Sequence, residues 1–361
     1  MRIVIALGGN ALLRRGERPD AATQLANVRA AVRALAPIAH RHEVVITHGN
    51  GPQVGVLALE SAADRSLSSP YPFDVLGAET QGMIGYWLLQ SLQNALPGRQ
   101  ICALLNQTLV SATDPAFADP TKFVGPVYGR AEAEQLAAER GWTVKRDGDH
   151  WRRVVPSPRP QRVVETRLIR LLLASGAVAV CAGGGGVPVI RDDTGHLSGV
   201  EAVVDKDLTA ALLAEALEAD ALLLLTDVPH VERDHGTPHA APITHTTPAE
   251  LRGHDFPAGS MGPKVEAACR FVELTGDMAA IGALQDAQAI LDGTAGTIVT
   301  PPRPLPGSRP PTRHWTRHDH AHPAVRPGHR RPPAAPGVPG GASASPRPSP
   351  SWRSSPSRCG R

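Results

Sequence analysis

The sequence predicts an α/β protein with a mostly parallel sheet covered by helices and one small inserted subdomain. Three observations carry that expectation. Short apolar runs alternate with helix-length amphipathic segments through most of the 361 residues, which is the pattern of repeated strand-helix-strand units. Glycine loops directly follow two of the runs, where a parallel sheet places its binding loops. Residues 111–160 break the rhythm with Asp-Pro steps, a charged Ala-rich stretch and a polar hairpin.

In chain order, residues 3–7 form the first strand and end at Gly8-Gly9-Asn10. A helix over 21–40 follows, with Asp20 placed to cap it. Strand 44–47 runs into the second glycine loop, His48-Gly49-Asn50-Gly51-Pro52. Helix 75–96 leads to a strand over 101–110. After the insertion come helix 165–175, strand 177–182 with the turn Gly183-Gly184-Gly185-Gly186, helix 207–219 and the leucine-rich strand 221–226. Helix 264–275, ended by Gly276, strand 279–284, helix 285–292 and strand 297–299 complete the pattern. Right-handed crossovers put both glycine loops at the carboxyl ends of strands. Inside 111–160 the hairpin turns at Asp147-Gly148. Its aromatics, Phe117, Phe123, Tyr128, Trp142 and Trp151, form either a minor core or the lining of an active-site lid.

Charge is unevenly distributed. From Pro301 onward there are 11 Arg, no Lys and one acid, Asp319, so this end carries +10 and, of the total +3, the remainder carries −7. A mildly acidic body argues against a specific nucleic-acid partner. Residues 302–361, rich in Pro, Arg, Ser and Gly, lack the aliphatic side chains to bury a core and are expected to be disordered, leaving a domain over 1–301. Cys102, Cys181, Cys269 and Cys359 form no CxxC pair and read as reduced thiols of a cytoplasmic protein. No signal peptide or membrane-spanning run is expected.

The chemistry concentrates on three lysines, Lys122, Lys206 and Lys264, and the two glycine loops. Gly8, Gly9 and Asn10, with Gly49, Asn50 and Gly51, would bring backbone N–H groups close to an anion. Lys206 and Lys264 stand at predicted helix starts, where the dipole already disfavours a cation. That placement suggests an anionic ligand, and glycine amides plus lysines suit phosphoryl transfer. Neither a Walker A loop nor a Gly-x-Gly-x-x-Gly turn occurs.

Five motifs in register resemble the carbamate kinases of the amino acid kinase superfamily. They are Ala6-Leu-Gly-Gly-Asn-Ala11, Thr47-His-Gly-Asn-Gly-Pro-Gln-Val-Gly55, Thr121-Lys122 with Gly125-Pro126, Val200-Glu-Ala-Val-Val-Asp-Lys-Asp207, and Gly259-Ser-Met261 with Pro263-Lys264. The resemblance spans about residues 1–301. It implies a three-layer αβα sandwich with a mainly parallel central sheet, usually a homodimer, that exchanges ATP + carbamate for ADP + carbamoyl phosphate with magnesium, commonly towards ATP in arginine catabolism. It further implies that Lys206, Lys264 and the insertion lysine Lys122 are catalytic, that Asp207 organises the lysines, and that the glycine loops bind the substrate. The nucleotide falls to Asp227, Met261 and Lys264. Relatives often place a lysine where this chain has Ala6, and Lys122 would supply that charge. The chain departs from the family at Glu232, where a Tyr is usual. No His/Cys/Asp spacing matches a metal site, so Mg2+ would arrive with ATP or ADP. The alternatives are a related kinase of another small acid, or a nucleotide-binding protein without catalysis.

Overall fold

The computed structural model describes residues 1–302 apart from Arg15 and Ala258. The chain opens with β1 (Arg2–Leu7), α1 (Ala21–Arg41), β2 (Glu43–His48), α2 (Gly51–Ala63) and α3 (Phe73–Ala95). Then come β3 (Ile101–Ala103), β4 (Gln107–Val110), β5 (Lys122–Tyr128), α4 (Arg130–Arg140), β6 (Thr143–Asp147) and β7 (His150–Val155). β8 (Pro160–Val163), α5 (Thr166–Ala174), β9 (Val178–Val180), β10 (Val187–Arg191) and β11 (Leu197–Gly199) follow. After α6 (Lys206–Ala216) and β12 (Ala221–Thr226) lie β13 (Val231–Arg233), β14 (Ala241–Ile243) and β15 (His245–Thr246). The last elements are α7 (Pro248–Leu251), α8 (Met261–Thr275), β16 (Met278–Ala283), α9 (Ala287–Leu291) and β17 (Thr297–Val299).

An eight-stranded sheet in the order β15-β17-β16-β12-β1-β2-β9-β3 forms the centre. Its pairs are parallel except β16 with β17. Strands alternate side chains between faces, and here both faces are covered. Ile3, Ile5 and Leu7 of β1 pack with Val28, Leu35, Ile84 and Leu88 of α1 and α3. Val4 and Ala6 turn the other way, to Ile169, Leu213 and Phe271 of α5, α6 and α8. Burying each of the large aliphatic side chains contributes about 2 kcal/mol, so the continuous apolar runs are what hold the three αβα layers together. Among the described residues no helix is long and apolar enough to cross a membrane.

Three local expectations change. The strand expected over 101–110 is two strands, β3 at the edge of the central sheet and β4 in a second sheet ordered β11-β10-β4-β8. The break is set by Asn106, fully buried, whose backbone N–H donates to Gln81 and whose side-chain oxygen accepts from the Ala182 N–H. Helix α2 was not expected, and α8 starts at Met261, which puts Lys264 inside its first turn.

The insertion is an antiparallel sheet, β5-β7-β6, with α4. Its hairpin turns at Gly148, at φ +63°. The aromatics form no closed core; Arg153 stacks between Trp142 at 4.7 Å and Phe73 of α3 at 4.8 Å. Val124 and Val155 join Val54, Phe73 and Leu76 in a small cluster that fastens the insertion to α2 and α3. Cys181 and Cys269 are buried free thiols and Cys102 is a half-buried one. The expected disordered tail lies outside the described residues apart from Pro302, as does Cys359.

Candidate active site

Strand β1 pairs with β12 on one side and β2 on the other, so the loops leaving their carboxyl ends meet. A cleft of about 1360 Å³ opens there. It brings together Gly8, Gly9, Gly49, Asn50, Gly51, Lys122, Lys206, Asp207, Asp227, Met261 and Lys264. Asn10 stands in the 3-10 turn Gly9–Ala11 of the first loop.

The glycine loops touch. A Cβ on Gly49 would lie 3.0 Å from the Gly9 nitrogen and 3.3 Å from Lys206 Cδ, and one on Gly8 would lie 3.1 Å from the Leu225 carbonyl oxygen. The expectation that all these residues present N–H groups needs correction. The Gly8 N–H donates to Leu225 and the Gly49 N–H to Leu7, at 2.8 and 3.0 Å, so these two glycines supply closeness of approach. Among the remaining donors are those at the N-terminus of α2, where Asn50 makes no side-chain cap and instead donates to Thr80 at 2.8 Å. Ser260, the N-cap residue of α8, makes no side-chain cap either, but the Gly262 N–H donates to the Pro257 carbonyl at 2.9 Å and Pro263 has no N–H. The N-terminus of α2 thus leaves N–H groups at the cleft, and both helices bring positive dipole ends to it.

Asp207 is the centre of the charged floor. Its carboxylate accepts from Lys206 Nζ at 2.5 Å and from Lys264 Nζ at 3.1 Å, and it is 4% exposed. Burial alone would raise this carboxyl; the two ammonium groups outweigh it and bring it to about 2. Lys206 is held below the ordinary lysine range by burial and by Lys264, against the pull of Asp207. Lys122 Nζ reaches in from β5 and donates to Asp205 Oδ2 at 2.8 Å. His48 is buried, its Nδ1 3.0 Å from the Gly49 carbonyl, and burial, with Lys206 adding, lowers it to about 4. It is neutral at pH 7, and so its Nδ1–H donates to that carbonyl.

The four-glycine turn is a packing device. A Cβ on Gly183 would come within 2.4 Å of the His48 ring, and one on Gly184 within 2.3 Å of the Asn50 amide. Gly184 also lines the cleft. The cleft is also lined by Val228, Pro229, His230 and Glu232 and by Phe256, Pro257 and Met261. It offers apolar surface beside polar groups, which suits a flat heterocycle. Glu232, the departure noted in the sequence, accepts from His235 at 2.7 Å. Sequence reasoning missed Asp205 and His48 as members of the site. The only signal for Asp205 was its place directly before Lys206, and His48 could be read only as a flank of the second glycine loop.

Residues 1–281 match the amino acid kinase family. The chain is 52% identical over 324 residues to the carbamate kinase of Rhizobium meliloti strain 1021, covering 86% of this chain and 100% of that protein. It is 49% identical over 298 residues to the carbamate kinase of Escherichia coli strain K12, covering 82% and 99%. The solved structure of carbamate kinase from Giardia lamblia bound to AMP-PNP superposes with a TM-score of 0.76 at 40% identity, covering 83% of this chain and 98% of that one.

Proposed function

The chain belongs to the carbamate kinases within the amino acid kinase family, and from that premise we propose how its cleft works. The enzyme moves a phosphoryl group between ATP and carbamate, giving ADP and carbamoyl phosphate, in a reversible reaction. Carbamate is already an anionic oxygen nucleophile, so no proton has to be removed before its oxygen bonds to phosphorus as the bond to the ADP oxygen breaks. What the site must overcome is repulsion between two anions.

The observation that carries the reading is the Lys206–Asp207–Lys264 arrangement beside the paired glycine loops. Lys206 and Lys264 neutralise charge on the group in transfer. Asp207, held to about 2, is too weak a base to take a proton at neutral pH and acts by fixing both ammonium groups. Lys122 serves the carbamate side. The N-terminus of α2 and the first loop, with Gly9, Asn10, Asn50 and Gly51, hold the small substrate, while Asp227, Met261 and Lys264 serve the nucleotide.

Among the described residues no group of three or more His, Cys, Asp or Glu could hold a metal ion, and Asp205 and Asp207 already bind lysines. The donor set therefore fits magnesium carried on the nucleotide's phosphates, where it neutralises part of their charge when bound. The reading extends to a cytoplasmic homodimer that forms ATP in arginine catabolism.

The test is ATP formation from ADP and carbamoyl phosphate. Lys206→Ala and Lys264→Ala should each lower turnover at least about a hundredfold while the fold survives, since each removes a charge aimed at the transferring group. Near-normal turnover in either folded variant would remove the corresponding role.

A further inference from the structure

We propose that Asp205 is a positioning residue for this transfer, tying the insertion lysine Lys122 to the N-terminus of α6 so that the three lysines form one set. The proposal rests on the roles given above to Lys122 and Asp207. Asp205 divides its carboxylate between two tasks. Oδ1 accepts the N–H groups of Asp207 and Leu208 at 2.9 and 3.2 Å, capping α6. Oδ2 accepts from Lys122 Nζ at 2.8 Å, from a residue 83 positions earlier in the chain.

Capping alone does not explain an aspartate. A cap needs one acceptor oxygen, which Ser, Thr or Asn would supply as well. The second oxygen and the negative charge go to Lys122. Because Oδ1 holds the backbone of Asp207 itself, the carboxylate that anchors Lys122 also fixes the carboxylate that anchors Lys206 and Lys264. One polar chain thus runs from the inserted subdomain to both lysines of the floor. A second tie lies beside it, where the Val203 N–H donates to the Pro156 carbonyl at 3.0 Å. The Lys122 and Asp205 side chains are 35% and 11% exposed, and a partly exposed ion pair adds little stability. Its use is geometric.

The experiment compares Asp205→Asn, Lys122→Ala and the double variant in the full chain, by ATP formation from ADP and carbamoyl phosphate. Asn keeps the cap and loses the charge, so the melting temperature should hold while kcat falls about tenfold or more, because misplacing a reacting group by an ångström is costly. KM for ADP should stay within about threefold, and the double variant should be no slower than Lys122→Ala, as expected for residues acting as a unit. Asp205→Ser, which also caps, should repeat the loss and replaces Asp205→Asn should that variant not fold. Near-normal kcat in Asp205→Asn, or losses that multiply in the double variant, would overturn the proposal alone. Near-normal turnover in Lys122→Ala would overturn it together with the role given to Lys122.

Discussion

Replacing Asp207 by Asn removes one negative charge and keeps the volume of the side chain. In the folded protein that carboxylate is 4% exposed and lies between two ammonium groups, each on a side chain 12% exposed. Without it, two buried cations face each other. Breaking a buried ion pair from one side costs about 3–5 kcal/mol, and because Asn retains one acceptor oxygen the lower end, about 3 kcal/mol, applies. In a domain of this size about 2 °C is lost per kcal/mol, so the melting temperature at pH 7 should fall by about 6 °C. The pH dependence gives a second reading. Although burial alone would raise the carboxyl, the lysines lower it from 3.8 to about 2 in the folded protein. A depressed carboxyl stabilises fully above its unfolded value and loses that contribution, about 2 kcal/mol, as pH falls from about 4 through 2. The gap in melting temperature between wild type and Asp207→Asn should therefore narrow on acidification. Turnover should fall at least about a hundredfold, since Lys206 and Lys264 lose their common anchor. Equal melting temperatures at pH 7, a gap that stays constant to pH 3, or a fully active variant would refute this account of Asp207.

Lys122→Ala should slow ATP formation more than it weakens ADP binding; calorimetry showing lost ADP affinity with turnover intact would move Lys122 to the nucleotide. Gly49→Ala places a methyl 3.0 Å from the Gly9 nitrogen and 3.3 Å from Lys206 Cδ, so the loops must part and stability should drop by about 1–3 kcal/mol, with turnover falling as well. Gly51→Ala, with no atom within 4 Å of the new Cβ, should melt like wild type, and a thermal scan of the two variants decides the point. Truncation after Pro302 should leave melting temperature and kinase activity nearly unchanged while removing salt-sensitive adherence to polyanions; a marked loss of either property would move the domain boundary.

The sheet was readable because a parallel strand buried on both faces must be apolar at every position, as in Ile3, Val4, Ile5, Ala6 and Leu7. Helix α2 was not, because Gly51, Pro52 and Gly55 locally resemble loop text. Pro52 is tolerated at the first turn of a helix, and Gly55 is required by a neighbour far away in sequence: a Cβ there would lie 3.1 Å from Gly125 Cα of the insertion. The break near Asn106 has the same origin, since its partners Gln81 and Ala182 stand 25 and 76 residues away. In the site, lysines and glycines announced an anion by type and place. Which carboxylate each lysine faces was hidden, because the Asp-Lys-Asp of 205–207 suits a plain helix start equally well. Only the fold shows that the first aspartate turns its spare oxygen to Lys122 while the second takes Lys206 and Lys264. The distinction matters for chemistry: a lysine held by a carboxylate keeps its direction before substrate arrives, so less reorganisation remains for the moment of transfer.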